Sequence, residues 1–88
     1  ETVYEEVIFD TKEIISKDWD SYKIIGFDNI PVFTTSVIDQ KGSPYLGVGE
    51  VVAGPTGAAI SNALCKAVGQ RIKILPFTKE NITKELLN

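Results

Sequence analysis

With one cysteine and no histidine, this 88-residue chain has no cross-link of its own to hold a fold together. A disulfide needs two thiols, and structural metal sites are built from several Cys and His side chains. A domain this small buries only about 60% of its unfolded surface. Ordering its residues costs roughly 1.5 kcal/mol each, which apolar burial barely offsets at this size. Stability must therefore come from an ordinary apolar core or from a partner's surface.

The net charge of −3 and a pI near 4.8 argue against nucleic acid as the partner, because phosphates call for a basic stripe. No apolar run approaches the roughly 20 residues that span a bilayer. The N-terminus has no signal-peptide pattern. The chain opens Glu-Thr-Val and contains no Met, which reads as a processed product or a piece of something longer. The lone thiol and the lack of an export signal suggest a reducing, cytoplasmic setting.

Along the chain, "TVYEEVIFD" (2–10) alternates: Val3, Glu5, Val7 and Phe9 share one face, Tyr4, Glu6 and Ile8 the other. That pattern predicts a half-buried strand. Residues 11–29 lack a clean period, and their Asp, Ser and Gly residues suggest turns around a short extended piece at 21–25. "IPVFTTSVID" (30–39) predicts a second strand, with Pro31 at its start, where a missing N–H does least harm. "QKGSPYLGVG" (40–49) reads as a loop. A helix follows, with Pro55 in its first turn, Gly69 just past its end, and a stripe of Ala59, Ile60, Ala63, Leu64, Ala67 and Val68 at helical spacing. "RIKILPF" (71–77) alternates as a strand ending at Pro76. Thr78 can cap a last helix, "KENITKELL" (79–87), with Glu80 in its first turn and Ile82 and Leu86 on one side. The expected fold is α+β: one small domain over 1–88, its short mixed or antiparallel sheet packed against two helices.

The chemistry concentrates in "GVGEVVAGPTGAAISNALCKAVG" (47–69), where Glu50 follows Gly47 and Gly49. One reading is structural: glycines provide positive-φ positions, and a carboxylate near a helix start gains about 0.3–1 kcal/mol from the helix dipole. The other is functional: the backbone is bare so that a cofactor or substrate can come close, and Glu50 is a positioned base. The spacing is not a dinucleotide fingerprint, since Val52 stands where GxGxxG needs its third glycine. It is not a P-loop either, because no Gly-Lys-Ser/Thr follows.

Beyond the glycine turn, "GVGE", the small-residue helix and "SNALCKAVGQRIKILPFTKENI" together resemble the C-terminal end of the molybdenum hydroxylases, the xanthine dehydrogenase and aldehyde oxidase family, in its large, molybdopterin-binding subunit. The corresponding residues are Gly47, Gly49, Glu50, Ala59, Ile60, Asn62, Ala63, Ala67, Gly69, Arg71, Ile72, Leu75, Pro76, Thr78, Glu80 and Ile82. Upstream, "YEEVIFD" and "DSYKI…DNIP" are similar to a family strand and to its "DY…DIP" stretch. Departures are Val51 where Pro or Gly is usual, Lys12-Glu13 where a Gly follows the first strand's Asp, and Asn29 in "DIP".

The resemblance implies that Glu50 is the active-site base in hydroxylation of an electron-poor carbon, on a heteroaromatic ring or an aldehyde. It implies that the backbone at Gly47 and Gly49 lies close to the cofactor. That cofactor, a molybdenum–pterin group, brings its own sulfur ligands, so no metal-ligating side chain is expected here. The isolated chain is expected to bind no cofactor and to be inactive. Expected partners are the rest of the molybdopterin-binding subunit, iron–sulfur and FAD subunits or domains, and a small-molecule substrate. The alternative is a stand-alone α+β interaction module without catalytic activity. The two readings differ in surface: a piece of a larger enzyme leaves apolar area bare and self-associates when isolated, whereas a module is closed and polar.

The remaining residues have plain expectations. Cys65 reads as a small buried thiol. Ser61 and Asn62 read as an exposed helix face or as local backbone hydrogen-bonders. Arg71 is expected to pair with an acidic group or with carbonyls near the helix end. Trp19 and Tyr22 read as packing residues of a core or interface, and 10–20 as a solvated charged stretch.

Overall fold

The computed structural model describes all residues, 1–88. Its regular elements are a short 3-10 turn at Phe27–Asn29, helix α1 (Ala53–Val68) and helix α2 (Lys79–Leu86). No helix is long and apolar enough to cross a membrane.

Helix α1 starts without a side-chain cap, at Val52. The backbone supplies what is missing: the Ala53 amide donates to the Glu50 carbonyl at 3.2 Å, and the Thr56 amide to the Val52 carbonyl at 2.9 Å. Pro55, in the first turn, has no N–H to satisfy. The helix stops at Gly69, whose φ of 78° is left-handed and whose amide donates to the Cys65 carbonyl at 2.9 Å. Glycine takes that conformation without the Cβ clash other residues meet.

The covered face of α1 differs from the expected stripe. Gly57, Ile60, Ser61, Leu64, Cys65 and Val68 are half-buried, while Ala59, Ala63 and Ala67 are exposed. The covered set recurs at i, i+3, i+4, so the helical period holds and only the face turns. Alanine methyls lose little by exposure. Gly57 and Ser61, having almost no side chain, let other segments lie close: a β-carbon at Gly57 would stand 3.6 Å from Thr2 Oγ1.

Residues 70–78 run back irregularly and include a cis Leu75–Pro76 peptide. They hold the only buried residues of the chain, Ile72 (3% exposed), Phe77 (8%) and Pro76. Arg71 donates to Ser61 Oγ at 3.4 Å and to Asn62 Oδ1 at 3.1 Å, clipping the segment to α1. This corrects the expectation that Arg71 pairs with an acid or with helix-end carbonyls, and it commits Ser61 and Asn62 as acceptors. On the other side, Gln70 donates to the Glu85 carbonyl at 3.2 Å and the Lys73 amide to the Glu85 carboxylate. The two helices do not pack on each other; residues 70–73 bond to both. Helix α2 is capped as the sequence predicts, Thr78 Oγ1 accepting from the Asn81 amide at 3.2 Å, with Glu80 in its first turn and Lys84 in its last. From the far end of the chain, the Thr2 carbonyl accepts from the Phe77 amide at 2.8 Å.

The expected α+β fold is overturned: there is no sheet. The segments 2–10, 30–39 and 71–77 are not strands, and their sole remnant is an isolated antiparallel bridge between Phe9 and Ile14. That bridge closes a turn in which the Ile15 and Ser16 amides donate to the Ile8 carbonyl at 2.7 and 3.2 Å, and the Asp10 carboxylate accepts from the Lys12 and Glu13 amides at 2.7 and 2.9 Å. A helix completes its hydrogen bonds within itself, whereas a strand needs a neighbour. None of the three segments finds one in these 88 residues. Trp19 likewise reaches no core: it is 78% exposed and meets Tyr22 edge-on, ring centres 6.4 Å apart.

The molecule is correspondingly open. Its radius of gyration is 17.1 Å, where a compact domain of this length has about 12 Å. Its accessible surface is 8084 Å², against about 5,100 Å² for a folded monomer of this mass.

Candidate functional site

Glu50 sits at a bend three residues before α1 begins. Its carbonyl is used by Ala53, but its carboxylate is not. The start of α1 has no side-chain cap, and neither of the chain's two ion pairs, the Glu1 ammonium with Glu5 and Lys17 with Glu13, includes it. No acidic residue stands in the first turn of α1, so Glu50 lies outside the region where the helix dipole acts strongly. The structural reading of this carboxylate, as a helix-start residue, thus finds no bond to rest on.

The same residue lines an open cleft of about 710 Å³, within the 300–1,000 Å³ typical of small-molecule sites. One wall is the start of α1, with Val52, Thr56 and Ile60; the other is the N-terminal segment, with Val3 and Tyr4, and Ile25 beside them. The N-terminal wall is placed by the crossing of Thr2 over Gly57 and by its bond to Phe77. Of the carboxylates at this cleft, Glu5 is committed: the N-terminal ammonium and then the Tyr22 hydroxyl, at 3.1 Å, hold its carboxyl below the ordinary range. The same bond pushes the Tyr22 phenol up. The carboxylates of Glu1 and Glu50, which also line the cleft, have no side-chain partner.

Gly47 and Gly49 lie outside the cleft lining. Neither has a positive φ, the two left-handed glycines being Gly42 and Gly69, and a β-carbon at either would meet nothing within 4 Å. The turn-forming role expected for them is therefore not what they perform, and nothing inside the chain calls for glycine at these positions. No group of three His, Cys, Asp or Glu side chains is placed to hold a metal ion. Cys65 is half-buried on the covered face of α1.

The cleft walls at Val3, Tyr4 and Ile25 were not marked by the sequence as site residues. The signal available for them was Gly57, the bare point in α1 over which the first residues cross.

No known family pattern matches the chain, and no solved structure matches it. One similarity stands out among characterised proteins. The chain is similar to a subunit of the nicotinate dehydrogenase of Pseudomonas putida. The two are 34% identical over 82 residues, which is 93% of this chain and 7% of that protein. Six residues at most lie outside the match, so residues 7–82, with Gly47, Gly49 and Glu50 among them, fall within it. The similarity joins the chain to one short stretch of a far longer oxidoreductase polypeptide.

Proposed function

We propose that this chain is the C-terminal part of the molybdopterin-binding polypeptide of a molybdenum hydroxylase, to which it supplies Glu50 as the active-site base. The observation that carries the reading is the state of Glu50: a carboxylate bound to nothing, lining an open cleft, after glycines that have no internal reason to be glycine. The similarity to the nicotinate dehydrogenase polypeptide supports it. That relative's name also favours a heteroaromatic compound over an aldehyde as substrate.

The residues present fit such a cofactor. A molybdenum–pterin group would bring its own sulfur ligands and so would ask no metal-ligating side chain of this segment. Open space around Gly47 and Gly49 leaves the backbone accessible to a bulky group. When bound, that group supplies the redox chemistry, delivering oxygen to the substrate carbon and taking up its electrons. The chain's part is narrower. Glu50 would take, at a carboxylate oxygen, the proton given up by the attacking oxygen as the new C–O bond forms, and the start of α1 holds the residue in place through the Glu50 carbonyl. A correctly placed base contributes typically 10²–10⁴-fold. The other partners, iron–sulfur and FAD units, would carry electrons away.

The stand-alone module predicts a closed, polar surface. Twenty-three exposed large apolar residues run against it.

The test is co-expression of this chain with the remaining polypeptide of its own enzyme, followed by hydroxylation assays of wild type and Glu50→Gln. Turnover should fall about 10²–10⁴-fold in the variant, with assembly unchanged because Glu50's side chain bonds to nothing internally. Near-normal turnover would remove Glu50 from the base role.

A further inference from the structure

We propose that residues 31–39, "PVFTTSVID", are a donated β-strand that completes an open sheet edge on the remainder of the larger polypeptide. The inference rests on the reading above, that such a remainder exists, and adds where the chain joins it.

The segment is built as a strand and lacks only a neighbour. Five of its nine residues are β-branched and a sixth is Phe33, the composition that suits a pleated surface. It is bounded at both ends. The 3-10 turn Phe27–Asn29 and Pro31 precede it, and a turn follows in which the Ser43 amide donates to the Gln40 carbonyl at 3.2 Å across Gly42, φ 84°. No bend or turn interrupts it. Extended, nine residues reach about 30 Å. Not one backbone N–H or C=O from 31 to 39 is hydrogen-bonded within the chain.

The side chains say what kind of neighbour fits. Phe33 and Val37 point to one side of an extended strand, Val32 and Ile38 to the other. All four are exposed, at 76%, 85%, 98% and 84%. A strand with one apolar face lies on the surface of a sheet; one with two is covered on both sides, inside a layered structure. Pairing with a second copy of this chain would satisfy one edge and leave both apolar faces in water. A large host with a sheet and covering layers satisfies both requirements. Polypeptide of that size is what the similarity leaves over: the chain matches 7% of the nicotinate dehydrogenase polypeptide. The open surface is large enough for such docking. The 8084 Å² exposed exceeds the compact expectation by about 3,000 Å². That is on one side alone as much as permanent interfaces bury in total, about 2,000–5,000 Å². Strand addition of this kind draws affinity from main-chain bonds and specificity from alternating side chains.

The experiment is hydrogen exchange on the chain alone and on its complex with the remaining polypeptide of its enzyme. In the complex the amides of 32–38 should gain protection of about 100-fold or more; in the isolated chain they should exchange freely. No added protection in the complex overturns the proposal. So does protection that appears in the isolated chain and rises with its own concentration, which would make a second copy the partner. In parallel, Thr35→Pro removes a donor from mid-strand and should lower the yield of complex about 10-fold or more, while Thr35→Val assembles normally. Helix content of the free variants should not change, since residue 35 bonds to nothing there. Normal assembly of Thr35→Pro together with an inactive Glu50→Gln would sink the strand and leave the base role standing. Protection of 32–38 with an active Glu50→Gln would do the reverse.

Discussion

Two aspartates each anchor a turn near the start of the chain. The Lys12 and then the Glu13 amide hold the Asp10 carboxyl below its ordinary range, and the Ser21 hydroxyl and then its amide do the same for Asp18. A depressed carboxyl stabilises the fold above the unfolded-state value, about 3.9, and that contribution is lost as pH falls through the folded-state value. Titration followed by NMR should therefore show the Lys12 and Glu13 amide protons shifting with Asp10 at a midpoint below about 3.9; a midpoint above it would exclude the bonds. At the other chemically loaded position, Gly49→Ala tests where the demand for glycine comes from. The added methyl meets nothing inside the chain, so circular dichroism of the free variant should match wild type. Loss of turnover only in the assembled enzyme would place the constraint outside the chain. The sequence singles out Glu50 because Gly47 and Gly49 stand just before it. The opposite wall of its cleft was not legible, because Val3 and Tyr4 arrive by a tertiary crossing that no local pattern encodes.

At the scale of elements, the helices were readable and the strands were not. Thr78, Gly69 and the 3.6-residue recurrence in α1 act within a few residues of where they stand, so sequence alone locates both helices. Alternation in 2–10 and 71–77 and the β-branched run in 30–39 are equally genuine, but they state what a segment does beside a neighbour. Where 88 residues contain no neighbour, the pattern survives and the strand does not. Which face of α1 is covered also escaped the pattern, since apolar character favoured the alanines and close approach favoured Gly57 and Ser61. Thr78→Ala should weaken α2 by about 1 kcal/mol, visible as faster exchange at the Asn81 amide. An unchanged rate would mean that the cap is idle. Gly69→Ala forces a side chain into the left-handed region and should cost about 1–2 kcal/mol, read as a lower melting midpoint of the helical signal.

The whole molecule has a scaffold, made of α1, residues 70–78 and α2, and a long apolar remainder draped from it. Only 30 backbone–backbone hydrogen bonds serve 88 residues, about half the two-thirds-per-residue share of ordinary folds. In solution the free chain should self-associate with rising concentration and bind hydrophobic dyes. At high dilution its scattering radius should stay near 17.1 Å, not the about 12 Å of a compact domain. A stable, compact monomer would contradict both the openness and the roles built on it. The exposed, unbonded run from 31 to 39 has a further consequence. Proteases cut where backbone is exposed and unpaired, so limited proteolysis of the free chain should cleave first within 31–39, well before either helix.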